Sequence, residues 1–171
     1  MRHEYQGNIL ERSPSGASGP AAARSHSASG VRAGRAPAQV LAAVFGLVFL
    51  LVGIAGFIPG ITSNSGDLAA AGTGSHAELL GLFRVSVLHN VVHMLFGVGL
   101  LAAARPAWAR AYLLGGGVAY LVVAAYGLVV EESSSANFLP VNAADTVLHV
   151  ALALALLVAG VATARVRDTE S

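Results

Sequence analysis

The chain contains no cysteine and no lysine. Without cysteine, disulfides, thiolate nucleophiles and sulfur-ligated zinc or iron–sulfur centres are excluded. Without lysine, every fixed positive charge is an arginine. Charge of either sign is scarce: 11% of the 171 residues are charged, against about 25% in a soluble domain. So few charges cannot keep a surface wet. The 55% hydrophobic content and mean hydropathy of +0.67 place the chain in the membrane class. A formal net charge of +1 carries no nucleic-acid signal. The length suggests one domain. Abundant Ala, Gly and Val with arginine as the only fixed cation suggests a high-GC bacterial genome, hence a bacterial plasma membrane.

What is there is ordered along the chain. Residues 1–37 are rich in Ser, Gly, Ala, Arg and Pro and show neither apolar period. Such a segment buries too little to offset its ordering entropy, so a disordered tail is expected. A signal peptide is the competing reading, but the apolar run is long for one and begins late. A helix rises about 1.5 Å per residue, and crossing the hydrocarbon core takes roughly 20 residues. On that basis four spans are expected, at about 40–58, 79–104, 112–130 and 141–164. Pro59-Gly60 stops the first, and Arg105 to Arg110 form a short turn, with Trp108 and Tyr112 as interface anchors. Pro140 suits the first turn of the last helix. The transmembrane domain is thus expected over 38–165, with a short tail at 166–171.

Five arginines lie in the amino-terminal tail, two in the second-to-third turn and two at the carboxyl end. The other two loops hold Asp67, Glu78, Glu131 and Glu132. Cytoplasmic segments carry the positive excess, which predicts both termini inside. Arg84 is the exception, placed where its stem can snorkel outward.

Two stretches align without a gap. Val85, Ser86, His89, Asn90, His93 and Gly97 fall opposite Val141, Asn142, Asp145, Thr146, His149 and Ala153. The first and third spans align loosely, with Val48-Phe49-Leu50-Leu51 against Tyr120-Leu121-Val122-Val123. The fold class expected is therefore all-α: a four-helix transmembrane bundle of two repeated hairpins in the same orientation.

Residues at i, i+3, i+4 and i+7 share a helix face. Ser86, His89, Asn90 and His93 form one polar stripe; Asn142, Asp145, Thr146 and His149 form another. Measured from Arg84, His93 lies about 14 Å down its helix. Lipid cannot hydrogen-bond such groups, so the stripes should face each other or a cavity. Three readings stand. The first is packing: interhelical hydrogen bonds fix helix register, small residues such as Ala151, Ala155 and Ala159 allow close approach, and the protein has no catalytic residues, cofactor or enzymatic activity. The second is a haem or divalent-metal centre using His89, His93 and His149, with Asp145 as ligand or support. The third is a proton or small-solute pathway. The expected partner is the lipid bilayer, with a homo-oligomer or another membrane protein possible. Gly115-Gly116-Gly117 lacks the GK[ST] of a phosphate loop and reads as close packing. His3, His26 and His76 read as bystanders.

At several of these residues the chain resembles the actinobacterial membrane proteins grouped as domain-of-unknown-function family 4383. The resemblance is carried by Gly56-Phe57-Ile58-Pro59-Gly60-Ile61-Thr62, Leu80-Gly81-Leu82-Phe83, Val87-Leu88-His89-Asn90-Val91-Val92-His93, Ala109-Arg110-Ala111-Tyr112, Ala136-Asn137-Phe138-Leu139-Pro140-Val141-Asn142, Asp145 and Leu148-His149. It covers roughly Val40 to Ala164 and implies a four-helix integral membrane protein, with no activity, substrate or cofactor. Ser86 and Thr146 each stand where an asparagine is usual in that family; both keep a hydrogen-bonding side chain.

Overall fold

The computed structural model describes residues 36–168, with side chains to Thr163. The tail at 1–35, with His3, His26 and five arginines, lies outside the described residues, as do 169–171. The chain is mostly helical, as the sequence predicts. The helices are α1 (Pro37–Ala55), α2 (Val87–Phe96), α3 (Gly99–Ala102), α4 (Pro106–Val129) and α5 (Ala143–Asp168). Three stretches, Pro37–Ala55, Pro106–Val129 and Ala143–Thr163, are long and apolar enough to cross a membrane. Their outward surfaces carry Leu51, Val122, Val147 and Val158, each more than half exposed. Apolar surface on that scale is suited to lipid rather than water.

The second expected span is different. Residues 79–104 read as one apolar run, but helix begins only at Val87. Before it, β2 (Glu78–Leu79) and β3 (Phe83–Arg84) form a hairpin, with β1 (Thr62–Ser63) on the other side of β2. Both pairings are antiparallel, with Thr62 opposite Leu79 and Leu79 opposite Phe83. Leu80 and Gly81 make the turn with φ of +55° and +67°. Glycine takes that conformation freely, whereas Leu80 does so at a cost. The helical part, Val87–Ala102, is about 24 Å long, short of the roughly 30 Å hydrocarbon core. It is also broken: the Leu100 N–H donates to Gly97 instead of the Phe96 carbonyl. The Tyr112 hydroxyl takes up that freed carbonyl at 2.9 Å.

Other boundaries shift too. α1 starts at Pro37, with Pro in the first turn, and ends at Ala55. α4 starts at Pro106, so Trp108 and Arg110 are helical rather than in a turn. Trp108 is exposed and the Arg105 guanidinium sits 4.7 Å above its ring. Pro140 precedes α5 rather than opening it, and α5 runs on through Arg165 and Arg167.

Two helical pairs make up the described chain. α1 packs on α2 and α3; α4 packs along α5; α1 also meets α4. Glycines set the close crossings. A Cβ on Gly46 would lie 2.6 Å from the Leu100 nitrogen, and one on Gly117 would lie 2.6 Å from the Leu157 side chain. A Cβ on Gly56 would strike the Asn90 amide, and one on Gly127 would strike the Thr146 hydroxyl. The contacts of Gly56 and Gly127 thus recur against Asn90 and Thr146, which the aligned stripes already pair, and Gly46 and Gly117 stand at the same spacing with partners one residue out of that register. They correct the loose alignment of the first and third spans by one residue: Phe49, not Val48, corresponds to Tyr120. These two rings stack on each other, 5.1 Å apart and 8° from parallel. Around them lies the main core of Ala42, Leu113, Ala153 and Leu156. Close packing at Gly117 follows the sequence expectation. The Ala151-Ala155-Ala159 stripe does not, because Ala151 and Ala155 are exposed and Ala153 and Gly160 face the core.

Candidate functional site: a buried histidine cluster

The site is built at two helix starts. The first N–H groups of a helix have no partner in the helix itself, and lipid offers none. In α2 they are all met. Val87 and Leu88 donate to the loop carbonyls of Ala69 and Ala70. The His89 N–H donates to the Ser86 hydroxyl at 3.1 Å, and Asn90 to the Ser86 carbonyl. Ser86 is therefore an N-cap. Asn142 does the same for α5: the Asp145 N–H donates to its Oδ1 at 2.9 Å. The Asn142 N–H in turn donates to Asp145 Oδ2 at 3.0 Å, closing a reciprocal capping box. The same Oδ2 accepts the Arg84 N–H at 3.0 Å, and Asn142 Nδ2 donates to the Leu82 carbonyl. The start of α5 is thereby tied to the β2–β3 hairpin. Glu132 adds to the tie, accepting the Ala143 N–H and standing 3.9 Å from the Arg84 guanidinium.

Of the eight polar residues in the two stripes, seven are buried and Asn142 is half-buried. They divide by what they touch. Ser86, Asn142 and Asp145 make the capping bonds above. Thr146 bonds back to the Asn142 carbonyl within its own helix. The three histidines do not join that network. Nδ1 of His89 and Nδ1 of His149 are buried with no hydrogen-bond partner, although the Arg84 backbone lies beside the His89 ring. Among the described residues no hydrogen bond links one imidazole to another or to Asp145. Asn90 Nδ2 is likewise buried and unpartnered.

What the histidines share is proximity. One nitrogen from each of His89, His93 and His149 lies within 4.8 Å of the other two. His89 and His93 are one helical turn apart on α2, with ring centroids 4.7 Å apart, and the His149 ring on α5 is 5.9 Å from His89. The three are 5%, 8% and 2% exposed. Two cavities flank them, of about 70 and 100 Å³, and all three imidazoles line both. Asp145 lines the second but stands outside the cluster of converging nitrogens. His76 is in an exposed loop.

Tyr120 belongs to neither polar stripe of the sequence. It lines the first cavity, its ring centroid 5.5 Å from His149 and 6.5 Å from His93, and its buried hydroxyl has no partner. The available signal was a tyrosine at the middle of an apolar span, away from Tyr112 and Tyr126 near its ends.

Three imidazoles at these separations can close on a metal ion. Tetrahedral bonds of 2.0–2.1 Å put ligand nitrogens roughly 3.3 Å apart, so the three, within 4.8 Å of one another here, would draw in by up to about 1.5 Å. Three protein ligands leave a fourth position open.

Apolar spanning helices with a polar cluster sealed among them define a helical membrane protein. More particularly, the chain belongs to the family described as Domain of unknown function (DUF4383), whose model matches residues 39–162. No curated protein and no solved structure matches the chain.

Proposed function

We propose that this is a bacterial plasma-membrane protein, with both termini cytoplasmic, that binds one divalent transition-metal ion through His89, His93 and His149. The observation that carries the reading is the convergence of three buried imidazole nitrogens, two of the rings having an unpartnered Nδ1. A buried polar atom without a partner costs about 1–3 kcal/mol. Histidines kept only for helix packing would be expected to hydrogen-bond across the helices, whereas the side-chain bonds here are made by Ser86 in its own helix cap and by Asn142 and Asp145 to each other and to the β2–β3 hairpin. Neutral imidazoles without thiolate suit zinc or copper. The Asp145 carboxyl lines the second of the two cavities beside the three rings. Cavities of about 70 and 100 Å³ favour a bare ion over haem, since pockets for drug-sized ligands run to roughly 300–1,000 Å³.

The test is elemental analysis of protein purified in mild detergent, stripped with chelator and reloaded with Zn²⁺ or Co²⁺. One ion per chain is expected, falling to a small fraction in His93→Ala and His149→Ala while helical circular dichroism is kept. A wild-type protein that takes up no stoichiometric metal, or variants that bind as well as it does, would overturn the reading.

A further inference from the structure

We infer that the Tyr120 hydroxyl is the hydrogen-bond donor to a small exogenous ligand, a water-derived or other monoanion of up to about three heavy atoms, in the coordination position the three histidines leave open. This rests on the metal-binding reading and assigns what that site accepts. Three observations support it. Tyr120 shares the cavity of about 70 Å³ with His89, His93 and His149, and its Oη is buried without a partner. The rest of that lining is apolar, including Val92, Val123 and Leu139, so Tyr120 is the one hydroxyl on it. Lastly, the hydroxyl is not needed for packing. At the corresponding place in the first repeat stands Phe49, which makes the other half of the same ring stack. A phenylalanine would fill either position, and only the second carries an oxygen.

Cavity size sets the ligand class. A water takes about 10–15 Å³ of such volume, so water, hydroxide or a linear triatomic fits and a substrate-sized organic molecule does not. A monoanion is favoured because it offsets the charge of an ion held by three neutral rings in a low-dielectric setting. The tyrosine O–H then donates to the bound atom.

The experiment uses full-length protein in detergent, loaded with Cu²⁺ and titrated with sodium azide, following the azide-to-copper charge-transfer band in wild type and Tyr120→Phe. The variant keeps the ring, so copper stoichiometry and melting temperature should stay at wild-type levels. Azide affinity should fall by about tenfold or more, the usual scale for losing a hydrogen bond to a charged group. Full copper occupancy with equal azide affinity in both proteins overturns the role of Tyr120 alone. A wild type that binds copper but no azide overturns the open position. A wild type that binds no copper overturns the parent reading, and this one with it.

Discussion

Asp145 is 2% exposed, and one of its carboxylate oxygens accepts the N–H groups of both Arg84 and Asn142. The sequence places it in a polar stripe, as ligand or support beside the histidines, but does not show the work it does. Spacing placed it beside the histidines; the fold spends it on a helix cap and a hairpin. Asp145→Ala leaves two buried N–H groups without acceptors and should lower stability by about 2–4 kcal/mol. Asp145→Asn keeps an oxygen and should lose about 1 kcal/mol. Thermal unfolding in one detergent ranks them, and equal melting temperatures for the two variants would contradict the capping role. Metal stoichiometry should survive Asp145→Asn, since the carboxylate is not among the converging ligands. Ser86 shows the same logic. Where the repeat has Asn142, a serine caps as well, because either side chain brings an oxygen to the third N–H of its helix. Tyr120 escaped notice because spacing rules compare residues on one helix, whereas its neighbours His93 and His149 stand on two others.

At the scale of elements, composition located the helices but not their ends. Hydropathy does not distinguish a helix from a hairpin when both are apolar, so Leu79–Val85 merged with α2. Gly81 inside that run, and Gly97 and Gly99 further on, were the turn and break signals. Tyr112 repairs the break, and Tyr112→Phe should lower stability by about 0.5–1.5 kcal/mol, read as a lowered melting temperature. The repeat makes a paired prediction. Gly56→Ala and Gly127→Ala each drive a Cβ into a neighbouring polar side chain, Asn90 or Thr146, and each should cost about 1–3 kcal/mol. Gly115→Ala meets nothing within 4 Å and should be neutral or stabilising by about 0.4–1 kcal/mol. Similar losses at all three sites would remove the argument that Gly56 and Gly127 mark equivalent crossings.

For the whole molecule, the membrane class was legible from charge scarcity alone, and the apolar outer faces of α1, α4 and α5 fit it. Orientation rests on where the arginines fall. Single cysteines introduced at Ser65 and Ser133, in a chain with no cysteine of its own, should react with a membrane-impermeant maleimide in intact cells; one at Ser171 should react only after lysis. The reverse pattern would invert the topology and put the sheet and the capped helix starts on the cytoplasmic side. The central claim concerns the three histidines, and X-ray absorption on the Zn²⁺-loaded protein tests it most directly. The account predicts three imidazole nitrogens at about 2.0–2.1 Å with one further light atom, and loss of an imidazole in His149→Ala. A zinc shell of oxygens alone, unchanged in that variant, would contradict it.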